Sequence, residues 1–183
     1  MNKIHPFVLR ISKWPVWLFF FLSLLAFAGY VMPKAQEGLA GACGRLAIPD
    51  TEVGYDAAWL RQTLQAMDGP CREAYRRSAL LQDALFPVAY GFFLFFSVAV
   101  LFYKTRSPFV LRGLYLLPLA GMLCDYGENF TLAFLMDHPA AGAGFLPYIA
   151  AAFSALKWFF FYGSLLLLLA GAVRWLVLRF RQG

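Results

Sequence analysis

The sequence predicts an all-α integral membrane protein, a four-transmembrane-helix bundle with a small helical extracytoplasmic cap. Three observations carry that prediction. The chain of 183 residues is 61% hydrophobic and 14% charged, whereas a soluble domain is nearer half apolar and a quarter charged. Four stretches, at about 14–32, 84–103, 109–136 and 147–178, reach the roughly 20 residues that a helix needs to cross a bilayer. The charges between those stretches are sorted by sign.

The sorting sets an orientation. Lys3, Arg10 and Lys13, then Lys104, Arg106 and Arg112, then Arg174, Arg179 and Arg181 form three basic clusters with no acid among them. All ten acids fall in the loop 33–83, in the loop 137–146 or inside the third stretch. Basic loops stay on the cytoplasmic side of a membrane, so both termini and the 104–112 loop are expected there. The other two loops then lie across a bacterial inner (cytoplasmic) membrane. The same sorting explains the net charge of +6 by orientation and contact with membrane lipid, and removes nucleic acid as a partner.

The first stretch opens with a basic region and contains Ala26-Phe27-Ala28, the form of a cleavable leader. Its apolar run continues through Val31 and Met32 to full spanning length, so an uncleaved helix is expected. Beyond it, 38–50 reads as irregular, with Gly38, Gly41, Gly44 and Pro49. Asp56 is placed to cap a helix carrying Leu60, Leu64 and Met67 at helical spacing. Asp68-Gly69-Pro70 ends it and starts the next, because proline suits a first helical turn. From Cys71 the pattern runs unbroken through Arg76, Leu80 and Asp83 into the second stretch, with Pro87 a point for a kink.

Of the three cysteines, Cys43 and Cys71 share the long loop and are the candidate disulfide, since an exported compartment permits one. Neither belongs to a Cys-x-x-Cys pair, which argues against a redox relay. Cys124, inside the third stretch, reads as a small packing residue.

The third stretch holds the chemistry. Asp125, Glu128 and Asn129 share one helix face, and ionisable groups at membrane depth must be paired, enclosed in protein or reached by water. A rise of about 1.5 Å per residue puts Glu128 roughly 12 Å and Asp125 roughly 16 Å below the exported surface. Lys157, about 15 Å deep on the fourth stretch, is the natural counter-ion. Tyr90 and Asp83, on one face of the second stretch, reach the same layer. A chamber of Asp83, Tyr90, Asp125, Glu128, Asn129 and Lys157 is therefore expected in the outer half, roofed by the cap, with Ser154 beside Lys157.

Asp125 and Glu128 outnumber Lys157, so a proton or a cationic ligand must balance the layer. The competing explanation is structural: buried ion pairs and an asparagine can set helix register and nothing more. His138 and His5 read as loop and terminal residues. No metal site and no cofactor are indicated, and a P-loop, a Gly-x-Ser-x-Gly elbow and a His-Glu-x-x-His motif are all missing.

Gly54-Tyr55, Asp83, Phe86-Pro87-Val88-Ala89-Tyr90-Gly91, Leu116-Leu117-Pro118 and Asp125-Tyr126-Gly127-Glu128-Asn129 form a recurring set. It resembles a group of uncharacterised bacterial four-span proteins with an intramembrane Asp-x-x-Glu-Asn motif, over residues 54–136. The resemblance implies the topology and no activity.

The leading expectation is a membrane protein that binds or transfers a lipid-like or small polar ligand in the chamber. Asp125 and Glu128 would supply charge or a proton, Asn129 and Tyr90 orientation, and Lys157 the counter-charge. One alternative is a non-catalytic accessory subunit with a structural polar layer, serving a membrane-protein partner or a second copy of itself. Another is an intramembrane enzyme using paired carboxylates, which needs no cofactor. A proton or cation path is disfavoured, because Cys124, Met122 and Leu119 offer nothing polar toward the cytoplasm.

Overall fold

The structure is a computed structural model and describes residues 10, 13–49, 52–102 and 108–180. Lys3, His5, Lys104, Arg106 and Arg181 lie outside the described residues, as do the side chains of Arg112 and Arg179. Among the described residues every regular element is helical. Helix α1 runs Trp14–Cys43, α2 Ala57–Ala66, α3 Gly69–Leu101, α4 Pro108–Asp137 and α5 Leu146–Phe180, with a 3-10 turn Pro139–Ala143 between the last two. Among the described residues three segments, Trp14–Cys43, Gly69–Leu101 and Leu146–Val177, are long and apolar enough to cross a membrane. Helix α4 has 30 residues and carries the Asp125–Asn129 run.

The arrangement is an open one. Helix α4 packs along both α3 and α5, while α1 packs chiefly on α3. Small residues bring α4 and α5 close. A Cβ on Gly127 would stand 2.7 Å from a ring carbon of Phe153, and one on Gly121 would stand 3.3 Å from Phe160. On the other side an aromatic seam joins α1 to α3, with Trp17, Phe20 and Phe21 against Phe92, Phe93 and Phe96. Trp17 Nε1 donates to Ser97 Oγ across it at 2.8 Å.

Two expectations about α1 need correcting. It does not end at 32, and 38–50 is not irregular throughout, because the helix continues to Cys43. Pro33 lies inside this helix and brings no N–H to it. Here a π-helical turn, Phe27–Val31, precedes it, with the Met32 N–H donating to the Phe27 carbonyl. Gly38 and Gly41 are carried inside the helix, and Leu39 fixes it by packing into the cap core. The end comes at Gly44, whose φ of 65° suits a residue without a Cβ.

The two helices of the long loop start where the sequence places them. The Asp56 carboxylate accepts from the Trp59 N–H at 2.7 Å to start α2, and Asp68 does the same for α3 from Cys71 at 2.9 Å. Leu39, Leu60, Leu64, Met67 and Tyr75 pack with Leu132, Leu135 and Ala150 of α4 and α5. Cys43 and Cys71 are bonded, with Cα atoms 4.7 Å apart, which ties the end of α1 to the start of α3. Arg61 clamps the far side, donating to the carbonyls of Gly142 at 3.2 Å and Gly144 at 2.9 Å. Arg76 bridges Glu73 and Asp137, each at 3.2 Å, joining the polar start of α3 to the end of α4. The Arg76 hydrogen bond and charge hold the exposed Glu73 carboxyl below its usual range.

Candidate functional site

The polar layer begins with a backbone problem. Pro87 sits inside α3 and has no N–H, so the carbonyl four residues earlier, that of Asp83, loses its helical donor. Helix α4 supplies a replacement: Asn129 Nδ2 donates to the Asp83 carbonyl at 3.3 Å. Tyr126 adds a hydroxyl bond to the neighbouring Ala84 carbonyl at 2.6 Å. A proline in an apolar helix is tolerated when a neighbouring helix satisfies the freed group in this way. Phe86-Pro87 on α3 and Tyr126 with Asn129 on α4 thus form one clasp.

That clasp makes a prediction. Asn129→Leu is expected to cost about 1–3 kcal/mol, the usual penalty for orphaning a buried polar group. The loss should shrink when Pro87→Ala returns an N–H to α3. Thermal unfolding of the single and double variants in detergent measures both. Equal losses in the two backgrounds would mean that the clasp does not depend on the proline.

The charges form a connected cluster. Lys157 Nζ lies 2.6 Å from Glu128 Oε2 and 3.5 Å from Asp125 Oδ1. Glu128 Oε1 accepts from the Tyr55 hydroxyl at 2.9 Å, so a residue of the cap loop closes over it. Asp125 accepts from the Tyr90 hydroxyl at 2.9 Å and from Asn129 Nδ2 at 3.3 Å. All six chamber residues are buried, from 0% exposed at Glu128 to 7% at Lys157. At such short range and low exposure the Lys157–Glu128 contact is a tight ion pair.

A cavity of about 330 Å³ opens beside this cluster. Asp83, Tyr90, Asp125 and Lys157 supply its polar wall, while Phe86, Trp158 and Phe161 supply an aromatic one. Met32 and Gln36 of α1 complete it, four residues apart and just past the π-helical turn. The cavity is only half enclosed, in the gap left because α1 leans on α3 and not on α5. It is about large enough for a small ligand or one end of a larger one.

Five of the six sequence-derived residues meet directly in one cluster, and Asp83 joins through its carbonyl and the cavity wall. They are not equivalent. Asp83, Tyr90, Asp125 and Lys157 face the cavity; Glu128 is sealed behind Lys157 and Tyr55, and Asn129 serves the clasp. Ser154 is fully buried near Lys157. Among the described residues no group of His, Cys, Asp and Glu has metal-site geometry.

Sequence reasoning did not assign Tyr55, Gln36 or Trp158 to the site. Tyr55 entered only through the Gly54-Tyr55 motif, although a tyrosine two residues before the start of α2 is a signal that could have been used. No similar signal marks Gln36, whose role depends on the unanticipated extension of α1. Compared with known proteins, the chain matches no protein-family model, no curated protein and no solved structure.

Proposed function

We propose that this protein is a four-span bundle of the bacterial inner membrane, with both termini cytoplasmic. In this reading it binds or transfers a lipid-like or small polar ligand in the outer half of the bundle. The observation that carries the reading is the half-open cavity whose inner wall presents Asp125 and Lys157 and whose outer wall is aromatic. The three apolar helices support placement in a membrane, and the polar run of α4 is explained if that helix crosses shielded between α3 and α5. Sign sorting of the loops supports the orientation, and the likeness of residues 54–136 to uncharacterised four-span proteins supports the topology.

The test is native mass spectrometry of the purified protein beside Asp125→Asn, which changes the cavity wall, and Glu128→Gln, which changes the sealed layer behind it. A discrete bound mass on the wild type that Asp125→Asn loses is the expected result. Bulk lipid alone on all three proteins would remove the binding reading.

The accessory-subunit reading has one observation in its favour. The Pro87 clasp and the Lys157–Glu128 pair hold helices together whether or not anything binds. Co-purification with a fixed membrane-protein partner, together with an empty cavity, would select it. An enzyme using Asp125 and Glu128 as its two carboxylates is less well served, because Glu128 does not line the cavity beside Asp125.

A further inference from the structure

A second cavity lies in the cap, and it shares no lining residue with the first. It has a volume of about 420 Å³ and is half open, between α2, the first turns of α3 and the Pro139–Ala143 turn. We infer that this hollow binds a phosphate-bearing anion between Arg61 and Arg72, and that the anion is the headgroup of a membrane lipid. None of the chamber residues takes part, so the inference stands apart from the binding reading above.

Charge is the first observation. Arg61 and Arg72 both line the hollow, and its lining contains no acid. Among the described residues neither guanidinium has a carboxylate within ion-pair distance. The acids of the neighbouring chain are engaged elsewhere. Asp68 accepts from the Cys71 N–H, and Arg76 holds both Glu73 and Asp137. Two cations lining one hollow repel each other, and an anion shared between them turns that repulsion into attraction.

The two side chains are also held in place before anything binds. Arg61 donates through Nε to the Gly142 carbonyl at 3.2 Å and through Nη2 to that of Gly144 at 2.9 Å. Arg72 donates to the carbonyls of Met67 at 3.0 Å and Leu64 at 2.6 Å, which closes the end of α2. These bonds position the guanidiniums, but a carbonyl brings no charge to balance one. A guanidinium has more N–H groups than these bonds use, and a side chain already fixed loses little freedom when an anion docks.

The surroundings of Arg61 indicate lipid. Its Nη1 donates to the Tyr148 hydroxyl at 3.3 Å, and its guanidinium stands 4.7 Å from that ring centre. Tyr148 is 60% exposed and Phe145 is 68% exposed. Both stand at the start of Leu146–Val177, which is long and apolar enough to cross a membrane. Exposed aromatic residues at the end of such a helix mark the level of the headgroups, and basic pockets at that level bind anionic ones.

A soluble organic phosphate offers the same chemistry, so the experiment separates the two sources. The full-length protein in detergent is titrated with phosphatidylglycerol, with phosphatidylcholine, and with glycerol phosphate as the tail-less probe. Native mass spectrometry and thermal unfolding are the readouts. Phosphatidylglycerol is expected to bind at least about tenfold more tightly than phosphatidylcholine, with glycerol phosphate far weaker. Gln65→Glu sets a carboxylate in the lining and leaves both arginines in place, and it should remove most of that preference. Gln62→Glu makes the same charge change on the same helix outside the lining, and should leave the preference unaltered. Arg61→Gln and Arg72→Gln should each weaken phosphatidylglycerol by about tenfold.

Glycerol phosphate binding as tightly as phosphatidylglycerol, with the same loss in Gln65→Glu, would keep the anion site and overturn the lipid source. Equal binding of the two lipids with none of glycerol phosphate would overturn the inference. So would a preference for phosphatidylglycerol that survives Gln65→Glu, since it would belong to another basic surface. If the arginine variants fail to fold, the two glutamate variants still decide.

Discussion

Lys157→Met is expected to lower the unfolding free energy by about 3–5 kcal/mol, the cost of leaving a buried charge without its partner. The reason lies in Glu128, which is 0% exposed and has Lys157 Nζ at 2.6 Å. Tyr55 would still donate to Glu128 Oε1, but one neutral donor offsets only part of a buried charge. Adding Glu128→Gln to Lys157→Met should recover much of the loss, since an amide needs hydrogen bonds and no counter-charge. Thermal unfolding of the four proteins in one detergent makes this a double-mutant cycle. A double variant as unstable as the sum of its singles would show that the two residues do not act as a pair.

Loss of the Cys43–Cys71 bond is the second large effect. The cysteines are 28 residues apart, and a cross-link of that span is worth about 3–4 kcal/mol in the chain-entropy account. The Cys43→Ser, Cys71→Ser variant should therefore melt well below the wild type. A thiol reductant should bring the wild type down to the same point and leave the variant where it is. The cavity gives the test a second readout, because Met32 and Gln36 stand on the helix that the bond anchors. Ligand affinity should fall with the bond even under conditions where the bundle remains folded. A reductant that alters neither melting nor binding would show that α1 is held by its aromatic seam alone.

The elements were legible wherever one physical signal dominated. Asp56 and Asp68 announced their helices because a capping carboxylate has one good geometry. Asp125, Glu128, Asn129 and Lys157 stood out because charge is costly in an apolar helix, and matching depth was enough to bring them together. What failed was the reading of punctuation. Gly38 and Gly41 look like chain breaks in isolation, yet packing by Leu39 and the bond at Cys43 carry the helix across them. Tertiary context outweighed propensity there. The division of labour within the polar run was also hidden, because spacing shows which residues share a face and not which of them is covered. Tyr55 closes over Glu128, while Asp125 lines the cavity.

The two attachments of α1 to α3 bear on how the chain is made. Cys43 waits for Cys71, at the start of α3, and Trp17 waits for Ser97, near its end, so the two ties become available in turn. At about 5–20 residues per second, the 80 residues between Trp17 and Ser97 take roughly 4–16 s to translate. Throughout that interval the Trp17 end of the first helix lacks its seam on α3. The wall of the cavity is completed later still, because Trp158 and Phe161 stand on the helix that is made last.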